Sequence, residues 1–347
     1  FQLGAVFFLQ KPHNVDTFSK TVKSILEDSA DKAPAPPPSA PVQANIIRED
    51  EPLGAVNDLQ ENQVRLTIWG ARGLPSIIPN SPSKYGRQTS CMSVETRENI
   101  FVFDAGTGII TLGKELLTRK SYYKDIWLFI THFHLDHIIG MGQFAPIEKP
   151  EYKLHIVGAN DPEKSLREMA QSSFYSSFSL VNGTPKAKIN LYEVLEDNYE
   201  LLPGVMVRTL YANHPTNTLI YSLEVKGKKI LYAPDSEIWG DATALQDYDE
   251  KFGIFSQNSD VFIHDATFDD EDYEKNKKQG HSGLTVVVDF AAEKAQAKEL
   301  ILFHLNPDYN DERLEKMIQS ANTEIQTKGY NLKVSLPQEG TPLLLTQ

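Results

Sequence analysis

The sequence predicts an α/β fold, in which short buried strands lead into polar loops and helices. Several apolar runs have strand length, such as DIWLFI at residues 125–130, and histidines or aspartates follow them. Helical patterns lie between these runs, for example at 109–119 and 284–295. Strands with interleaved helices are typical of layered α/β domains. The chain has 347 residues, 40% hydrophobic and 23% charged, which suits a globular protein with a large core.

The most informative motif is THFHLDH at residues 131–137. It follows a strand-like run, so we expect it on a loop that leaves a buried strand, where functional residues concentrate. The imidazoles of His132 and His134 can point to one centre, while Asp136 and His137 can reach a second centre beside it. Such nitrogen and oxygen atoms are ligands for zinc, manganese and iron. Histidines can also fill hydrogen-bonding sites in a core, but this density favours a metal site.

The H-x-H-x-D-H motif resembles the signature of metallo-β-lactamase-fold hydrolases. The resemblance implies a third imidazole for the first metal, a carboxylate that bridges two metals, and a last imidazole for the second metal. The segments YANHP, YAPDS and ELILFH supply these as His214, Asp235 and His304. It also implies a four-layer αββα sandwich and two divalent metal ions per chain, zinc first, with manganese or iron as alternatives. The implied ligands are His132, His134, His214, Asp235, Asp136, His137 and His304.

A second element, GHS at residues 280–282, resembles the phosphodiesterase branch of this superfamily, which includes ribonuclease Z and small cyclic-phosphate esterases. The resemblance implies that His281 contacts the scissile phosphate or assists the leaving group, as a general acid or transition-state stabiliser. A role as a capping partner of the following helix is the alternative. Asp136 would ligate the second metal and orient the hydroxide that bridges the two metals. Asp136 and His281 are therefore the predicted catalytic residues.

Four further residues are predicted to support the ligands or to contact substrate. Asp104, in the turn DAGTG, is interpreted as a group that orients ligands, or as a cap on the following helix. Arg72, in WGARG, could reach a phosphate, and a structural role is the alternative. His264 and Asp265 end the run DVFIHD and are expected behind the metal ligands rather than among them.

Composition divides the chain into three parts. Residues 1–28 resemble the C-terminal strand and helix of a response-regulator receiver domain, with Lys11-Pro12 as the matching pair. One strand and one helix bury too little area to fold alone, so we expect the remnant of a longer domain, with a decoration of the hydrolase as the alternative. Residues 29–62 include APAPPPSAP and are predicted to be a linker. Residues 63–347 form the predicted hydrolase domain.

Together these features predict a binuclear metal-dependent phosphodiesterase that acts on a small cyclic nucleotide or cyclic phosphate. Its receiver-like segment would make it the output domain of a response regulator, with a sensor histidine kinase as partner. A ribonuclease Z-like endoribonuclease and a thioester or lactone hydrolase are alternative enzymes. A non-hydrolytic di-metal signalling or redox module is an alternative of another class.

Charge and cysteine content bound the partners and the location. The net charge of −13 argues against extended nucleic acid as a partner, because phosphate contacts need clustered Lys and Arg. The sequence shows neither a membrane-length apolar run nor a secretory pattern, so we expect a cytoplasmic protein without a membrane partner. The single Cys91 excludes an intrachain disulfide. The oligomeric state is left open.

Overall fold

The computed structural model describes residues 58–73, 83–118, 123–161, 164–175, 184–240 and 247–346. The receiver-like segment at 1–28 lies outside the described residues, as does nearly all of the linker at 29–62. These two assignments, and the start of the hydrolase domain at residue 63, therefore stay predictions.

The described strands form two seven-stranded sheets. In the first sheet the strand order is β14-β1-β2-β3-β4-β5-β6, and in the second it is β13-β12-β11-β10-β9-β8-β7. Numbered in chain order, the strands are β1 Gln63–Gly70, β2 Cys91–Glu95, β3 Ile100–Phe103, β4 Asp125–Phe129, β5 Lys153–Ala159, β6 Lys188–Val194, β7 Asn198–Leu202, β8 Val205–Tyr211, β9 Leu219–Val225, β10 Lys228–Ala233, β11 Val261–Asp265, β12 Glu299–Phe303, β13 Lys333–Ser335 and β14 Pro342–Thr346.

Each sheet is antiparallel in one half and parallel in the other. The neighbours from β3 to β6 pair in parallel, and so do those from β10 to β13. Parallel strands bring their carboxyl ends to one edge of a sheet, and ligands commonly bind outside that edge. Predicted site residues lie at the ends of β3, β4, β10, β11 and β12, so this strand arrangement gathers them. His214 instead follows β8, in the antiparallel half of the second sheet.

Helices cover the outer face of both sheets. The helices are α1 Gly108–Thr118, α2 Leu135–Ile138, α3 Leu166–Tyr175, α4 Tyr248–Ser256, α5 Asp270–Asn276, α6 Leu284–Glu293 and α7 Asp311–Lys328. The predicted helical patterns at 109–119 and 284–295 correspond to α1 and α6. The Asn310 side chain accepts a hydrogen bond from the Arg313 backbone at the start of α7, and the left-handed Gly329 ends that helix. Among the described residues, no helix has the length and apolar character needed to cross a membrane.

Three apolar layers hold the sandwich together, which confirms the predicted αββα architecture. Alternate residues of both sheets form the central layer, where Phe103 stacks on Phe129 with ring centroids 5.0 Å apart. A second layer lies between the first sheet and helices α1 and α3, around residues such as Leu112 and Leu166. A third lies between the second sheet and helices α4, α6 and α7, around Phe252.

The central layer generates a stability prediction at Phe103, which also contacts the rings of Tyr221 and Tyr232. The substitution Phe103→Ala should lower the free energy of unfolding by about 3–5 kcal/mol, because it leaves a cavity between the sheets. Urea denaturation of the full chain measures this loss. The substitution Ile254→Ala is a matched control, since this side chain is 70% exposed, and should change stability by less than about 0.5 kcal/mol. Equal effects of the two substitutions would contradict the packing described here.

Candidate metal centre

The THFHLDH motif changes direction just after β4, and this places its side chains on different sides of one centre. Thr131 and His132 continue from the strand as buried residues, and His134 is the N-cap of the short helix α2. Asp136 and His137 lie within α2 and point inward, whereas His134 is exposed to solvent. The loop therefore supplies ligand atoms to a buried side and to an open side of the site.

Two glycines allow this loop to lie against the turn that follows β3. A Cβ atom on Gly106 would lie 2.1 Å from the Asp136 carbonyl oxygen, and one on Gly140 would lie 2.1 Å from the Gly106 carbonyl oxygen. Real Cβ atoms do not approach backbone so closely, so any other residue would push the α2 segment away. The glycine of the predicted DAGTG turn thus serves the packing of the metal-binding loop.

Three imidazoles form the first group of potential ligands. The His132 Nε2 atom lies 2.8 Å from His134 Nδ1, and His214 Nε2 lies 3.5 Å from the same atom. Two ligand atoms at a zinc-like distance around a tetrahedral ion are separated by about 3.4 Å. These nitrogens are thus close to the spacing that one ion requires. Burial lowers the pKa of His214 to about 4, so its imidazole is neutral at pH 7, as a ligand must be.

Two carboxylates and two imidazoles form the second group. The Asp136 Oδ2 atom lies 3.0 Å from His304 Nε2 and 3.5 Å from His137 Nε2. Asp235 faces the same pair, with Oδ2 3.0 Å from His137 Nε2 and Oδ1 3.4 Å from His304 Nε2. Asp235 also belongs with His132 and His137 in a set of ligand atoms that lie within 4.8 Å of one another. It therefore lies between the two groups, as a bridging carboxylate would.

Two buried atoms in the centre test whether metal ions fit there. His137 Nε2 and Asp235 Oδ2 are buried and lie 3.0 Å apart, but not in the geometry of a hydrogen bond, and neither atom has a hydrogen-bond partner among the described residues. A buried polar atom left without a partner costs roughly 1–3 kcal/mol, which selection would remove unless the atom had another use. Both atoms face the gap that the other ligand atoms surround. The donor set, imidazole nitrogen with carboxylate oxygen, is one that divalent metals prefer, so these residues fit the implied ions.

The buried carboxylate of Asp104 orients the His137 ring of the centre. Its carboxylate accepts hydrogen bonds from His137 Nδ1 at 2.7 Å, from the Thr131 backbone at 2.8 Å and from the Tyr232 hydroxyl at 3.0 Å. The bond to His137 keeps the proton on Nδ1 and leaves Nε2 as the ligand atom. Asp104 itself has a φ of 58°, a strained left-handed conformation for a residue that is not glycine. These contacts match its predicted supporting role and do not show a helix cap.

The other imidazoles are held by similar outer contacts. His214 Nδ1 lies 2.9 Å from the Gly280 carbonyl oxygen, and His304 Nδ1 lies 3.0 Å from the Thr267 hydroxyl. His304 also has a positive φ, 50°, and a Cβ on Gly73 would lie 2.7 Å from its ring. His214 and His304 are thus oriented through the nitrogen that faces away from the centre.

His281 lies beside the centre and is paired with Asp265. Its Nδ1 atom is 2.7 Å from Asp265 Oδ2 and 3.8 Å from Asp235 Oδ1, and its ring stacks on that of His304 at 5.0 Å. Burial disfavours a charged imidazole here, but the carboxylates of Asp265, Asp235 and Asp136, with Asp265 contributing most, together outweigh it and raise the pKa of His281 to about 9. The side chain is 19% exposed, so it can be reached from solvent. This geometry suits a proton donor.

The side chains of His264 and Asp265 lie on opposite faces of β11, although the sequence analysis assigned them one role. Along β11, Val261 and Ile263 face the central layer, whereas Phe262 faces the helices. His264 follows the same alternation and packs against the rings of Phe262 and Phe252, on the helix side. These contacts give no support to a position behind the ligands, because alternation along a strand directs neighbouring side chains to opposite faces. Asp265, one residue on, points into the site.

Arg72 is committed to backbone contacts. Its guanidinium donates to the carbonyl oxygens of Asn306 at 2.9 Å, Tyr309 at 3.0 Å and Gly86 at 3.2 Å, and the residue is only 5% exposed. These bonds tie the loop after β1 to the segment after His304. The geometry favours the structural alternative for Arg72 and gives no support to a substrate contact.

Sequence reasoning missed Glu237, which lies two residues after Asp235. The fully buried carboxylate of Glu237 accepts from the backbone of Lys278 at 2.8 Å, the backbone of Gly280 at 3.0 Å and the Tyr273 hydroxyl at 3.2 Å. It thereby holds the segment that leads to His281. An acidic residue two positions after a predicted ligand, just before the apolar pair Ile238-Trp239, was the available signal.

Comparisons with known proteins give a consistent result. Residues 99–305 match the family model described as the Beta-lactamase superfamily domain. Ribonuclease Z of Pyrococcus horikoshii is 25% identical over 268 residues, which cover 65% of this chain and 82% of that protein. The structure of the metallo-beta-lactamase fold protein YhfI from Bacillus subtilis aligns with a TM-score of 0.59 and 19% identity over 82% of this chain and all of YhfI. Human tRNase Z, short form, aligns with a TM-score of 0.53 and 20% identity over 80% of this chain and 98% of that chain.

These relatives contradict the prediction that extended nucleic acid is excluded as a partner. Proteins named ribonuclease Z align with this chain over more than four fifths of their own length. The exclusion rested on the net charge of −13, which sums the whole chain and says nothing of the charge within one cleft. Metal ions can also supply local positive charge that the sequence does not show.

A substitution at Asp104 tests whether this carboxylate supports metal binding. The substitution Asp104→Asn should weaken binding of zinc by about 10- to 100-fold, because the amide no longer offers the full set of acceptors that orients His137. Competition with a chromophoric chelator, on the full chain, measures the affinity. Asp125→Asn is a matched control, since that carboxylate is half exposed and bonded to Lys153 and His155. Unchanged zinc affinity in Asp104→Asn would refute the supporting role.

Proposed function

This chain belongs to the beta-lactamase superfamily, and on that premise we propose that it hydrolyses phosphodiester bonds with two divalent metal ions. It is a metal-dependent hydrolase, as are the enzymes that it resembles. The observation that carries the proposal is the position of the His281–Asp265 pair, which lies at the same strand ends as both ligand groups. Such a pair adds a proton donor to a metal centre.

The first ion would be held by His132, His134 and His214, and the second by Asp136, His137 and His304, with Asp235 between them. When bound, two such ions supply Lewis-acid activation of a phosphoryl oxygen and of an attacking water molecule. Since ligand histidines must be neutral and aspartates ionised, metal binding displaces protons from this set.

Asp136 supports the attack because it stays ionised. Burial would raise the pKa of its carboxyl, but His137 and His304 outweigh that effect and hold the pKa well below its usual range. Its Oδ2 atom is bonded to His304. The Asp136 carboxylate therefore fixes the second group and can orient the nucleophile by accepting a hydrogen bond.

His281 acts on the other side of the phosphorus, at the leaving oxygen. Asp265 accepts the hydrogen bond from Nδ1, and this fixes the ring and leaves Nε2 to donate a proton. As the bond between phosphorus and the leaving oxygen breaks, that proton neutralises the alkoxide. Thr267 and the Ser236 backbone also donate to Asp265, so the carboxylate is held in place.

A small cyclic nucleotide or cyclic phosphate is the substrate that we propose to test first. Ribonuclease Z-like cleavage of an RNA precursor is the second candidate, and the names of the curated relatives favour it. The proposed role as the output domain of a response regulator, controlled by a sensor histidine kinase, rests on the resemblance of residues 1–28. A non-hydrolytic di-metal module would fit the ligand groups but would leave the His281–Asp265 pair without a use.

Removal of the proton donor is the direct test of catalysis. With zinc or manganese bound, the wild-type chain should cleave bis(p-nitrophenyl) phosphate, and one or more of the cyclic mononucleotides and a tRNA precursor. On a cyclic mononucleotide or a tRNA precursor, whose leaving group is an alkoxide, the substitution His281→Ala should lower kcat by about 10²- to 10⁴-fold, the usual contribution of general acid catalysis. His155→Ala is a control, because that ring stacks on Trp127 away from the metal ligands. A metal-loaded wild type that cleaves none of these substrates would falsify the proposal.

The dependence of kcat on pH tests the pairing with Asp265. His281 has a raised pKa, so its protonated form is present at lower pH and is lost as the pH rises through that pKa. The substitution Asp265→Asn removes the charge that raises this pKa, so the alkaline limb of the profile should move to lower pH. A profile from pH 6 to pH 10 measures the shift, on the cyclic mononucleotide or tRNA precursor that the wild type cleaves, because its alkoxide leaving group needs a proton. An unmoved or oppositely moved limb would show that His281 is not the titrating donor.

A further inference from the structure

The segment at residues 236–238, just after the predicted bridging ligand, holds the chain on both sides of His281. Before His281, the Gly280 backbone N–H donates to Glu237 Oε2 at 3.0 Å. After it, the Ser282 hydroxyl donates to the carbonyl oxygen of the first residue of this segment at 2.6 Å. The same hydroxyl accepts from the backbone N–H of the segment's last residue at 3.0 Å. The proposed proton donor is therefore flanked by two residues that are both bonded to one short segment.

The side chain of Glu237 binds the chain before His281 with both of its carboxylate oxygens. Oε1 accepts from the Lys278 backbone at 2.8 Å and from the Tyr273 hydroxyl at 3.2 Å, while Oε2 accepts from Gly280. The residue is fully buried, and a buried carboxylate is costly unless donors surround it. Two separate acceptor atoms are needed, because a side-chain amide would turn its NH₂ group towards one of the backbone N–H groups. This position therefore requires a carboxylate rather than any polar side chain of the same size.

Glu237 also reaches His214, a predicted ligand of the first metal ion, from two directions. Its backbone N–H donates to the Asn213 carbonyl oxygen at 3.0 Å, and its own carbonyl oxygen accepts from the Asn213 side chain at 2.7 Å. Its side chain holds Gly280, whose carbonyl oxygen accepts from His214 Nδ1 at 2.9 Å. The outer hydrogen bond of a ligand imidazole fixes the ring and the nitrogen that faces the metal. Glu237 thus acts on His214 through the residue before it and through the carbonyl that orients its ring.

Two glycines allow these contacts to be so close. A Cβ atom on Gly280 would lie 2.6 Å from His214 Nδ1, and one on Gly240 would lie 2.3 Å from Glu237 Cδ. Gly280 also has a φ of 85°, in the region that favours glycine. The Glu237 side chain is buried and bonded at both oxygens, so it cannot move aside for a larger neighbour. The network therefore has one close-packed arrangement, in which the carboxylate and the imidazole hold each other's positions through Gly280.

We infer that Glu237 is a positioning residue that sets the first metal site and the proton donor together. The inference rests on the proposed phosphodiesterase function and adds a dependence within the site. One carboxylate fixes both His214 and the segment that carries His281, whereas the Asp104 carboxylate fixes His137 in the second ligand group. The two ions therefore depend on different buried carboxylates. Loss of the Glu237 carboxylate weakens the first ion and displaces His281, and it leaves the second ion in place.

Zinc binding tests this role without turnover. Titration of the metal-free full chain against a chromophoric chelator resolves two binding steps, and His134→Ala, which removes a ligand of the first group alone, identifies the first step. Glu237→Gln should weaken that step by about 10- to 100-fold, the usual effect of losing an outer partner of a ligand imidazole, and leave the other step unchanged. Glu95→Gln is the matched control and should move neither step. This buried carboxylate lies 3.5 Å from Arg65, and its strand pairs it with Ile100, at the end of β3 away from the centre.

The binding result decides the role whether or not the chain is a phosphodiesterase. Unchanged zinc binding by folded Glu237→Gln would overturn it, and so would equal weakening in Glu95→Gln, because that would reflect a general loss of stability. If the Gln variant does not fold, Glu237→Asp replaces it. The shorter carboxylate cannot reach both backbone N–H groups, so it should also weaken the first step, and wild-type affinity in this variant would overturn the role.

For an active wild type, kinetics at saturating zinc test the effect on the proton donor. On the cyclic mononucleotide or tRNA precursor that the wild type cleaves, Glu237→Gln should lower kcat by about 10²-fold with little change in KM, because a displaced His281 no longer meets the leaving oxygen. A change in KM alone would show that Glu237 does not position the donor. If the wild type cleaves no phosphodiester but the first zinc step is weakened, the proposed hydrolysis fails and the positioning of His214 stands.

Discussion

The buried carboxylate of Asp104 is the constraint on which the centre depends. It lies at the end of a strand of the first sheet and accepts from Thr131 and His137 in that sheet's metal-binding loop. It also accepts from Tyr232, in the second sheet. One side chain therefore links both sheets and fixes a ligand ring. A buried carboxylate is costly unless donors surround it, and here the donors are the groups that the site must position.

The centre destabilises the sandwich through backbone strain and through buried polar atoms that lack hydrogen bonds. Asp104 and His304 have left-handed backbone conformations, and His137 Nε2 and Asp235 Oδ2 are buried without hydrogen bonds in the described structure. The stacked aromatic layer between the sheets, around Phe103, supplies the rigidity that maintains this arrangement. Bound cations would satisfy the unpaired atoms. The free energy that the metal-free protein loses by burying these atoms would then be recovered when metal binds.

The proposed proton donor, His281, lies on the second sheet's side of the centre. The Asp265 carboxylate holds His281, and Glu237 holds the chain segment that carries it. Two buried carboxylates thus set the position of the His281 ring and of the chain segment that precedes it.

The sequence by itself determined the architecture and the cluster of predicted ligands. Each ligand follows an apolar run, and the resemblance of the H-x-H-x-D-H motif to metallo-β-lactamase-fold hydrolases predicted that His214 and Asp235 lie with His132. Tertiary structure decided what local pattern does not encode. Alternation along β11 places His264 against the helices. The Arg72 guanidinium donates to backbone carbonyl oxygens of a segment far away in the sequence. Segments far apart in the chain also line a cavity at Trp239. Net charge misled about nucleic acid for a related reason: it is a sum over the chain, whereas recognition depends on which groups folding brings to one cleft.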